Sequence, residues 1–121
     1  MPWTYKQSTG EMSLNGEVFA IGYSGKGIGK NNPVMQYEKG IGPVPEGKYN
    51  LSEAFYHPHK GPVCIRLHPV SQAQMHGRSG FLIHGDSRAH PGEASEGCII
   101  LNKTTRLAIA SSSDKVLIVE Q

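Results

Sequence analysis

Two residues in the second half of the chain have the types and the setting that covalent chemistry requires. His84 follows an apolar run at positions 81–83, and Cys98 directly precedes a second apolar run at positions 99–101. Each run is typical of a short buried strand, and side chains at strand ends can face a cleft while a core holds their backbones. We therefore consider His84 and Cys98 as a catalytic pair.

A cysteine and a histidine together can attack a carbonyl carbon. An imidazolium beside the thiol can lower the thiol pKa, and the resulting thiolate is the nucleophile. His84 would then protonate the leaving amine, and water or another amine would resolve the thioester on Cys98. Gly97 suits this chemistry because a residue without Cβ lets substrate approach and leaves the Cys98 amide available to an oxyanion. On residue types alone, a buried structural cysteine and a hydrogen-bonded structural histidine are equally good interpretations.

The rival chemistry is metal-dependent hydrolysis. His84, Asp86, His90 and Cys98 could supply tetrahedral zinc ligands. The sequence contains no His-x-x-x-His or Cys-x-x-Cys pair, however, and two of the four candidates flank a polar loop. We therefore expect no metal and no other cofactor. A third interpretation is a binding module that has lost turnover.

The elements that must position the pair are mostly strands. The chain has 121 residues with 15 Gly and 8 Pro, and 37% of its residues are apolar. This composition predicts one domain, residues 1–121, that is mainly β with many turns. The expected strands are 3–7, 12–14, 17–23, 48–52, 63–67 and 116–119. Residues 54–61 are expected to form a loop, and 103–110 a helix that Asn102 caps. In that helix we expect Leu107 and Ala110, three positions apart, to pack on the sheet and Arg106 to lie at the surface.

Several classes of function and location are disfavoured by the sequence. The net charge of +2 is too small to indicate a nucleic-acid partner. No run of about 18 apolar residues predicts a membrane span. The first residues lack the apolar segment of a secretory signal, so we expect synthesis in the cytoplasm. There we expect Cys64, a buried strand residue, and Cys98 to stay reduced.

Beyond these patterns, the chain resembles a known family over essentially its whole length. The motifs that carry the resemblance are Trp3-Thr4-Tyr5-x-Gln7-Ser8-Thr9-Gly10, Gly42-Pro43-Val44-Pro45-Glu46-Gly47-Lys48-Tyr49, Arg78-Ser79-x-Phe81-x-Ile83-His84-Gly85-Asp86 and Ser95-Glu96-Gly97-Cys98-Ile99. They are similar to motifs of the L,D-transpeptidase (YkuD-like) catalytic domain, and most similar to those of the L,D-transpeptidase-like toxins that bacteria deliver by type VI secretion. The resemblance implies a YkuD-like β-sandwich with one short packed helix.

The resemblance also implies a substrate and roles for particular residues. The substrate would be the tetrapeptide stem of peptidoglycan. An L,D-carboxypeptidase would remove its terminal D-alanine, and an L,D-transpeptidase would exchange this residue for another D-amino acid. The Gly85 carbonyl would orient the His84 ring, with Asp86 as the alternative, and Ser95 would brace the turn at Cys98. Glu96 stands where the family usually has histidine. This difference leaves the nucleophile and the base in place and affects the details of substrate and acceptor choice.

Two arginines are the expected receptors for the carboxylates of stem peptides. Arg78 and Arg88 flank the strand and the loop, and a guanidinium can bind both oxygens of a carboxylate. For both, a role outside substrate binding stays open. The expected substrate-binding residues are therefore Arg78, Asp86, Arg88 and Glu96. The expected partners, besides stem peptides, are a periplasmic immunity protein and a component of the secretion apparatus, with the periplasm of a target bacterium as the destination.

Overall fold

The computed structural model describes residues 2–121, and its first three strands form an antiparallel meander. These are β1 (Trp3–Lys6), β2 (Glu11–Leu14) and β3 (Glu17–Ile21). The turn between β2 and β3 is the Asn15-Gly16 pair, with φ of 54° and 81°. Both angles are left-handed, as the favoured two-residue hairpin turn requires. The sequence prediction of this hairpin is confirmed.

The remaining strands extend the meander into one ten-stranded sheet. They are β4 (Tyr23–Ser24), β5 (Gly47–Leu51), β6 (Phe55–His57), β7 (Gly61–Pro69), β8 (Leu82–His84), β9 (Ile99–Ile100) and β10 (Val116–Glu120). The strand order is β3-β2-β1-β10-β5-β7-β8-β9-β4, and β6 pairs only with β7. Because β3 and β4 are consecutive in the chain, the two ends of the sheet come together. The sheet is therefore nearly closed, and the predicted mainly β fold class is confirmed.

One α-helix packs against this sheet. The helix α1 (Lys103–Ser111) begins after Asn102, whose side-chain oxygen accepts a hydrogen bond of 2.8 Å from the Thr105 amide. The predicted cap and helix are thus confirmed. The predicted packing is confirmed for Ala110, which lies against the core, and is wrong for Leu107, which is 46% exposed. The buried side chains of the helix include Ile109 and Arg106 instead. Among residues 2–121, no helix is long and apolar enough to cross a membrane.

The core lies inside the curled sheet and is built by alternate residues of its strands. Its members share near-zero exposure and include Trp3, Tyr5, Tyr49, Ile65, Ile83, Ile99, Ile109 and Leu117. Ile83 and Ile99 are direct partners in the parallel pair of β8 and β9. The residues that follow Ile83 and precede Ile99 are therefore fixed by fully buried neighbours.

The segment after β5 departs from the sequence prediction. Residues 54–61 were expected to form a loop, but Phe55–His57 forms β6 and pairs with the start of β7, with Phe55 opposite Cys64. Cys64 is buried in β7 as predicted, and both cysteines are free thiols. The β6–β7 hairpin lies next to the end of β8, because β7 and β8 are antiparallel.

Candidate active site

The two proposed catalytic residues lie on neighbouring parallel strands. His84 is the last residue of β8, and Cys98 directly precedes β9, whose Ile99 pairs with Ile83. Both residues line one open cleft of about 760 Å³. We call it the catalytic cleft, and the residues of its wall that matter below include Lys39, Lys60, Phe81, His84, Glu96 and Cys98.

The imidazole of His84 is held in one orientation. Its Nδ1 lies 2.8 Å from the carbonyl oxygen of Gly85. A carbonyl can only accept a hydrogen bond, so Nδ1 carries the proton and Nε2 has the free lone pair. Nε2 is buried and has no hydrogen-bond partner within residues 2–121. This geometry leaves Nε2 as a proton acceptor, and the contact with Gly85 is the one that the family resemblance implied.

The environment keeps His84 neutral. The ring is 2% exposed, and burial lowers the pKa of His84, since it disfavours the charged imidazolium. The nearby positive charges of Lys60 and Arg106 lower this pKa further, against the opposing effect of the bond to Gly85. His84 is therefore suited to act as a base at neutral pH.

The thiol of Cys98 is also neutral. Burial raises the pKa of Cys98, and this effect exceeds the lowering by the Leu82 amide and by Lys60. Its Sγ lies 3.9 Å from the Gly80 carbonyl oxygen, and the structure of residues 2–121 contains no hydrogen bond from this thiol to His84. The expectation that an imidazolium lowers the thiol pKa is therefore wrong for the free protein. The arrangement supports proton transfer during attack instead of a preformed ion pair.

Ser95 holds the turn that presents Cys98. Its hydroxyl donates to the Cys98 carbonyl at 2.6 Å and accepts from the amides of Gly25, at 2.8 Å, and Gly97, at 3.2 Å. These bonds are consistent with the bracing role expected of Ser95. Gly97 itself has φ of 137°, and a Cβ there would lie 2.6 Å from the Arg78 guanidinium. Glycine is thus required at position 97 on both conformational and steric grounds.

Asp86 organises the loop that connects β8 and β9. Its carboxylate accepts hydrogen bonds from the Tyr23 hydroxyl at 2.6 Å, the Ser87 amide at 2.8 Å and the Gly92 amide at 3.1 Å. No hydrogen bond joins it to His84 in the described residues. The contacts therefore favour Gly85 as the group that orients the histidine, and they give Asp86 a role in shaping the loop.

Arg78 is buried and its donors are used within the protein. Nη1 donates to the carbonyls of Gln36 and Pro43, both at 2.7 Å, and Nη2 to those of Gly42 and Glu96 at 2.9 and 3.3 Å. These bonds tie the segment before β5 to the turn before Cys98. They favour a positioning role for Arg78 over the expected contact with a substrate carboxylate.

The other two expected substrate contacts are exposed side chains. Glu96 lines the catalytic cleft, and its negative charge contributes to raising the pKa of Cys98. Arg88 is exposed and is not part of the cleft wall. Of the two residues, only Glu96 is therefore placed to meet a ligand beside the thiol.

Arg106 is the residue that sequence analysis missed. It was expected at the surface but is 7% exposed. It donates to the carbonyls of Leu101 at 3.0 Å, Val63 at 2.9 Å and Pro62 at 3.3 Å. A Cβ on Gly85 would lie 2.7 Å from its Nη2. Arg106 thus supports the backbone behind His84, and a single charged residue in a short helix carries no sequence signal for this role.

The zinc alternative lacks a ligand set in the part of the chain that the structure describes. Over residues 2–121, no three His, Cys, Asp or Glu side chains are grouped so that they could hold a metal ion. Asp86 is instead bonded to Tyr23 and backbone amides, and His90 lies 3.9 Å from Glu93. The donors proposed for zinc are therefore dispersed.

Comparison with known proteins gives one family. A family model described as the Tlde1 domain matches residues 19–117, which include β8, the loop after it, Cys98 and α1. A search of the curated proteins finds no match. The matched segment is most of the chain and contains the whole wall of the catalytic cleft. The chain therefore belongs to the Tlde1 domain family, a family of L,D-transpeptidase-like effectors of type VI secretion.

Proposed function

We propose that this protein is a cysteine enzyme that cuts the tetrapeptide stem of peptidoglycan between the diamino acid and the terminal D-alanine. The observation that carries the proposal is the shared cleft, where a thiol faces a space that also contains a histidine with an unpartnered Nε2. Membership of an L,D-transpeptidase-like family supports the choice of substrate. The assignment of Cys98 as nucleophile and His84 as base and acid is part of the proposal.

The first half of the reaction forms a thioester. The Cys98 sulfur bonds to the diaminopimelate carbonyl carbon while its proton passes to Nε2 of His84. The oxyanion would be stabilised by the backbone amide of Cys98. Collapse of this intermediate breaks the carbon–nitrogen bond, and His84 gives its proton to the leaving nitrogen. D-alanine departs as a free amino acid, and the acyl group stays on sulfur.

The second half regenerates the thiol. His84 takes a proton from water or from the amine of a D-amino acid. The water oxygen or the amine nitrogen then attacks the thioester carbon. The carbon–sulfur bond breaks, and the proton returns to sulfur. With water the outcome is an L,D-carboxypeptidase, and with the amine it is an L,D-transpeptidase. Both outcomes share one intermediate on Cys98.

Membership of an effector family supports a proposal for the cellular setting. Peptidoglycan is reached from the periplasm, so we propose that the chain is made in the cytoplasm and delivered into the periplasm of a target bacterium. Delivery would require a component of the secretion apparatus. Sibling cells would require a periplasmic immunity protein as a partner of this domain.

The test is release of D-alanine from purified tetrapeptide stems. We expect release by the unaltered protein, no release by Cys98→Ala, and a loss of about 10²- to 10⁴-fold in His84→Gln. Cys64→Ala is the matched control, since it removes the other thiol, and it should keep activity within a few-fold. Mass spectrometry of the trapped intermediate should show the acyl adduct on Cys98. Inhibition by a chelator, or activity that survives Cys98→Ala, would reject the thiol mechanism.

A further inference from the structure

Most charged groups in the catalytic cleft are already engaged within the protein. Arg78 is bonded to four carbonyls, and Asp86 is bonded to Tyr23 and to loop amides. His90 and Glu93 face each other at 3.9 Å. A ligand therefore meets mainly the charges that have no such contact in the described residues. These are the exposed side chains of Lys39, Lys60 and Glu96.

Lys60 is presented by an ordered turn. It lies between β6 and β7, where Nδ1 of His57 accepts hydrogen bonds from the amides of His59, at 3.1 Å, and Lys60, at 3.2 Å. The turn is thus fixed by a side chain of its own hairpin. Because β7 runs antiparallel to β8, the start of β7 lies beside the end of β8, where His84 is found. The exposed side chain of Lys60 is therefore carried by an ordered turn on the wall of the cleft, on the side where His84 lies.

Lys60 and Lys39 differ in their relation to the reacting groups. Lys60 lies on the turn that leads into the start of β7, beside the end of β8, and its charge is among the main ones that act on the pKa values of both Cys98 and His84, whereas Lys39 is not among these. Electrostatic influence falls with distance, so Lys60 is the free cation on the side of the pair. Glu96, the free anion, would repel a carboxylate from its own part of the cleft. Of the two free cations, Lys60 is the one whose turn lies beside the end of β8, and it is therefore the better placed to meet a carboxylate next to His84.

We infer that Lys60 is the specificity residue that binds the α-carboxylate of the amino acid released by the reaction. The inference rests on the proposed function. That carboxylate is separated from the scissile nitrogen by a single carbon, so its receptor must lie close to the group that protonates the nitrogen, His84. A residue that continues into a longer peptide has no carboxylate there. Lys60 would therefore make the enzyme select stems that end one residue after the scissile bond.

Binding to an inactive protein tests this inference without turnover. Cys98→Ala protein would be titrated by calorimetry with a tetrapeptide stem and with the same peptide carrying a C-terminal amide. We expect the acid to bind about tenfold more tightly than the amide, as for one charge-assisted hydrogen bond. Adding Lys60→Gln should abolish this preference, because it should weaken binding of the acid and leave binding of the amide unchanged.

Two further variants separate charge at this site from other effects. Lys60→Arg keeps a cation on the turn and should retain most of the preference. Lys103→Gln removes the same charge from the exposed start of α1, outside the cleft, and should leave the preference unchanged. Equal weakening of both peptides by Lys60→Gln would overturn the inference. So would equal binding of acid and amide, or no measurable binding of either, in the Cys98→Ala protein.

The same peptides distinguish this inference from the proposed function. If unaltered protein releases D-alanine but Lys60→Gln keeps the acid preference, the enzyme assignment stands and the receptor assignment fails. If no release occurs although the preference depends on Lys60, the receptor assignment stands and the enzyme assignment fails. For active protein, Lys60→Gln should lower the ratio of kcat/KM for the acid to kcat/KM for the amide about tenfold, because any effect of the lost charge on His84 and Cys98 acts on both peptides.

Discussion

At the scale of single residues, both members of the proposed catalytic pair, Cys98 and His84, are neutral in the free protein. Burial raises the pKa of Cys98 and lowers that of His84, so each group resists the charge that it would carry in an ion pair. The proton therefore stays on sulfur until substrate arrives. A neutral thiol is also less open to alkylation and oxidation than a thiolate.

The reactivity of Cys98 toward iodoacetamide should reveal this neutral state. Because the pKa of the thiol is raised, alkylation at pH 7 should be slower than that of glutathione in the same buffer. The rate should increase only above the pH at which glutathione ionises. Mass spectrometry of the digested protein would separate Cys98 from Cys64, which is buried and should not react. Fast alkylation of Cys98 with an inflection below neutral pH would indicate an ion pair and contradict this prediction.

Single residues also mark the limit of what the sequence predicts. Cys98 and His84 could be selected because their types and flanking apolar runs have few alternatives. The buried roles of Arg78 and Arg106 could not be predicted, because a guanidinium can bind a carboxylate, a set of carbonyls or water. Their roles depend on which carbonyls the folded chain brings near. Arg78 and Arg106 meet carbonyls from segments far away in sequence, at Pro43 and Val63.

At the scale of elements, the loop between β8 and β9 is held by one tyrosine. Tyr23 donates to Asp86 and accepts from the Ala94 amide at 2.9 Å, so it joins both ends of the loop to β4. Burial, and then the bond to Asp86, raise the pKa of Tyr23 to about 12. Burial opposes ionisation of Asp86, but bonds from Tyr23 and from the Ser87 and Gly92 amides lower its pKa overall. The phenol and the carboxylate are therefore expected to stabilise each other.

A double-mutant cycle should measure this coupling. Tyr23→Phe and Asp86→Ala each remove one partner of this hydrogen bond and should each lower the free energy of unfolding at pH 7. Their combined effect should be smaller than the sum by about 0.5–2 kcal/mol, since they share one hydrogen bond. The folded-state pKa of Asp86 is lowered, so its contribution is present above the ordinary aspartate pKa of about 3.9 and is lost as pH falls through the lower, folded value. Urea titrations at pH 7 and pH 3 give both quantities, and additive effects at pH 7 would exclude the coupling.

Local signals predicted the elements that have strong chemical markers. The Asn15-Gly16 turn and the Asn102 cap were found because their conformations require those residue types. The strand Phe55–His57 was missed, since it is three residues long and contains no alternating pattern. It exists because the edge of β7 offers a partner, with Phe55 opposite Cys64. Pairing of this kind is a tertiary effect that a local window does not contain.

At the scale of the whole molecule, the last strand joins the two halves of the sheet. β10 lies between β1, with which it is parallel, and β5, with which it is antiparallel. Trp3 and Tyr49 are therefore both neighbours of Leu117, from the first and the middle parts of the chain. Next to β5 in the sheet come β7, β8 and β9, and the last two carry or adjoin His84 and Cys98. Anything that loosens β10 should therefore unfold the molecule as a unit, including the cleft.

Alternate residues of β10 provide a test of this organisation. Leu117 is fully buried between its two neighbours, whereas the next residue, Ile118, is only partly buried. Leu117→Ala should lower the free energy of unfolding by about 2–5 kcal/mol, through lost apolar contacts and the cavity that remains. Ile118→Ala removes a similar volume from the opposite face and should cost clearly less. Urea denaturation followed by circular dichroism measures both.

The same two variants, Leu117→Ala and Ile118→Ala, test how stability and activity are connected in this fold. In the sheet, Leu117 pairs with Trp3 and Tyr49 and not with His84 or Cys98. Leu117→Ala should therefore reduce activity only by unfolding a fraction of the molecules. Specific activity corrected for the folded fraction should then equal that of the unaltered protein. Equal losses of unfolding free energy in Leu117→Ala and Ile118→Ala would show that packing on the Leu117 face of β10 does not dominate its stability. Loss of activity in fully folded Leu117→Ala would show that the cleft depends on β10 more closely than the strand order implies.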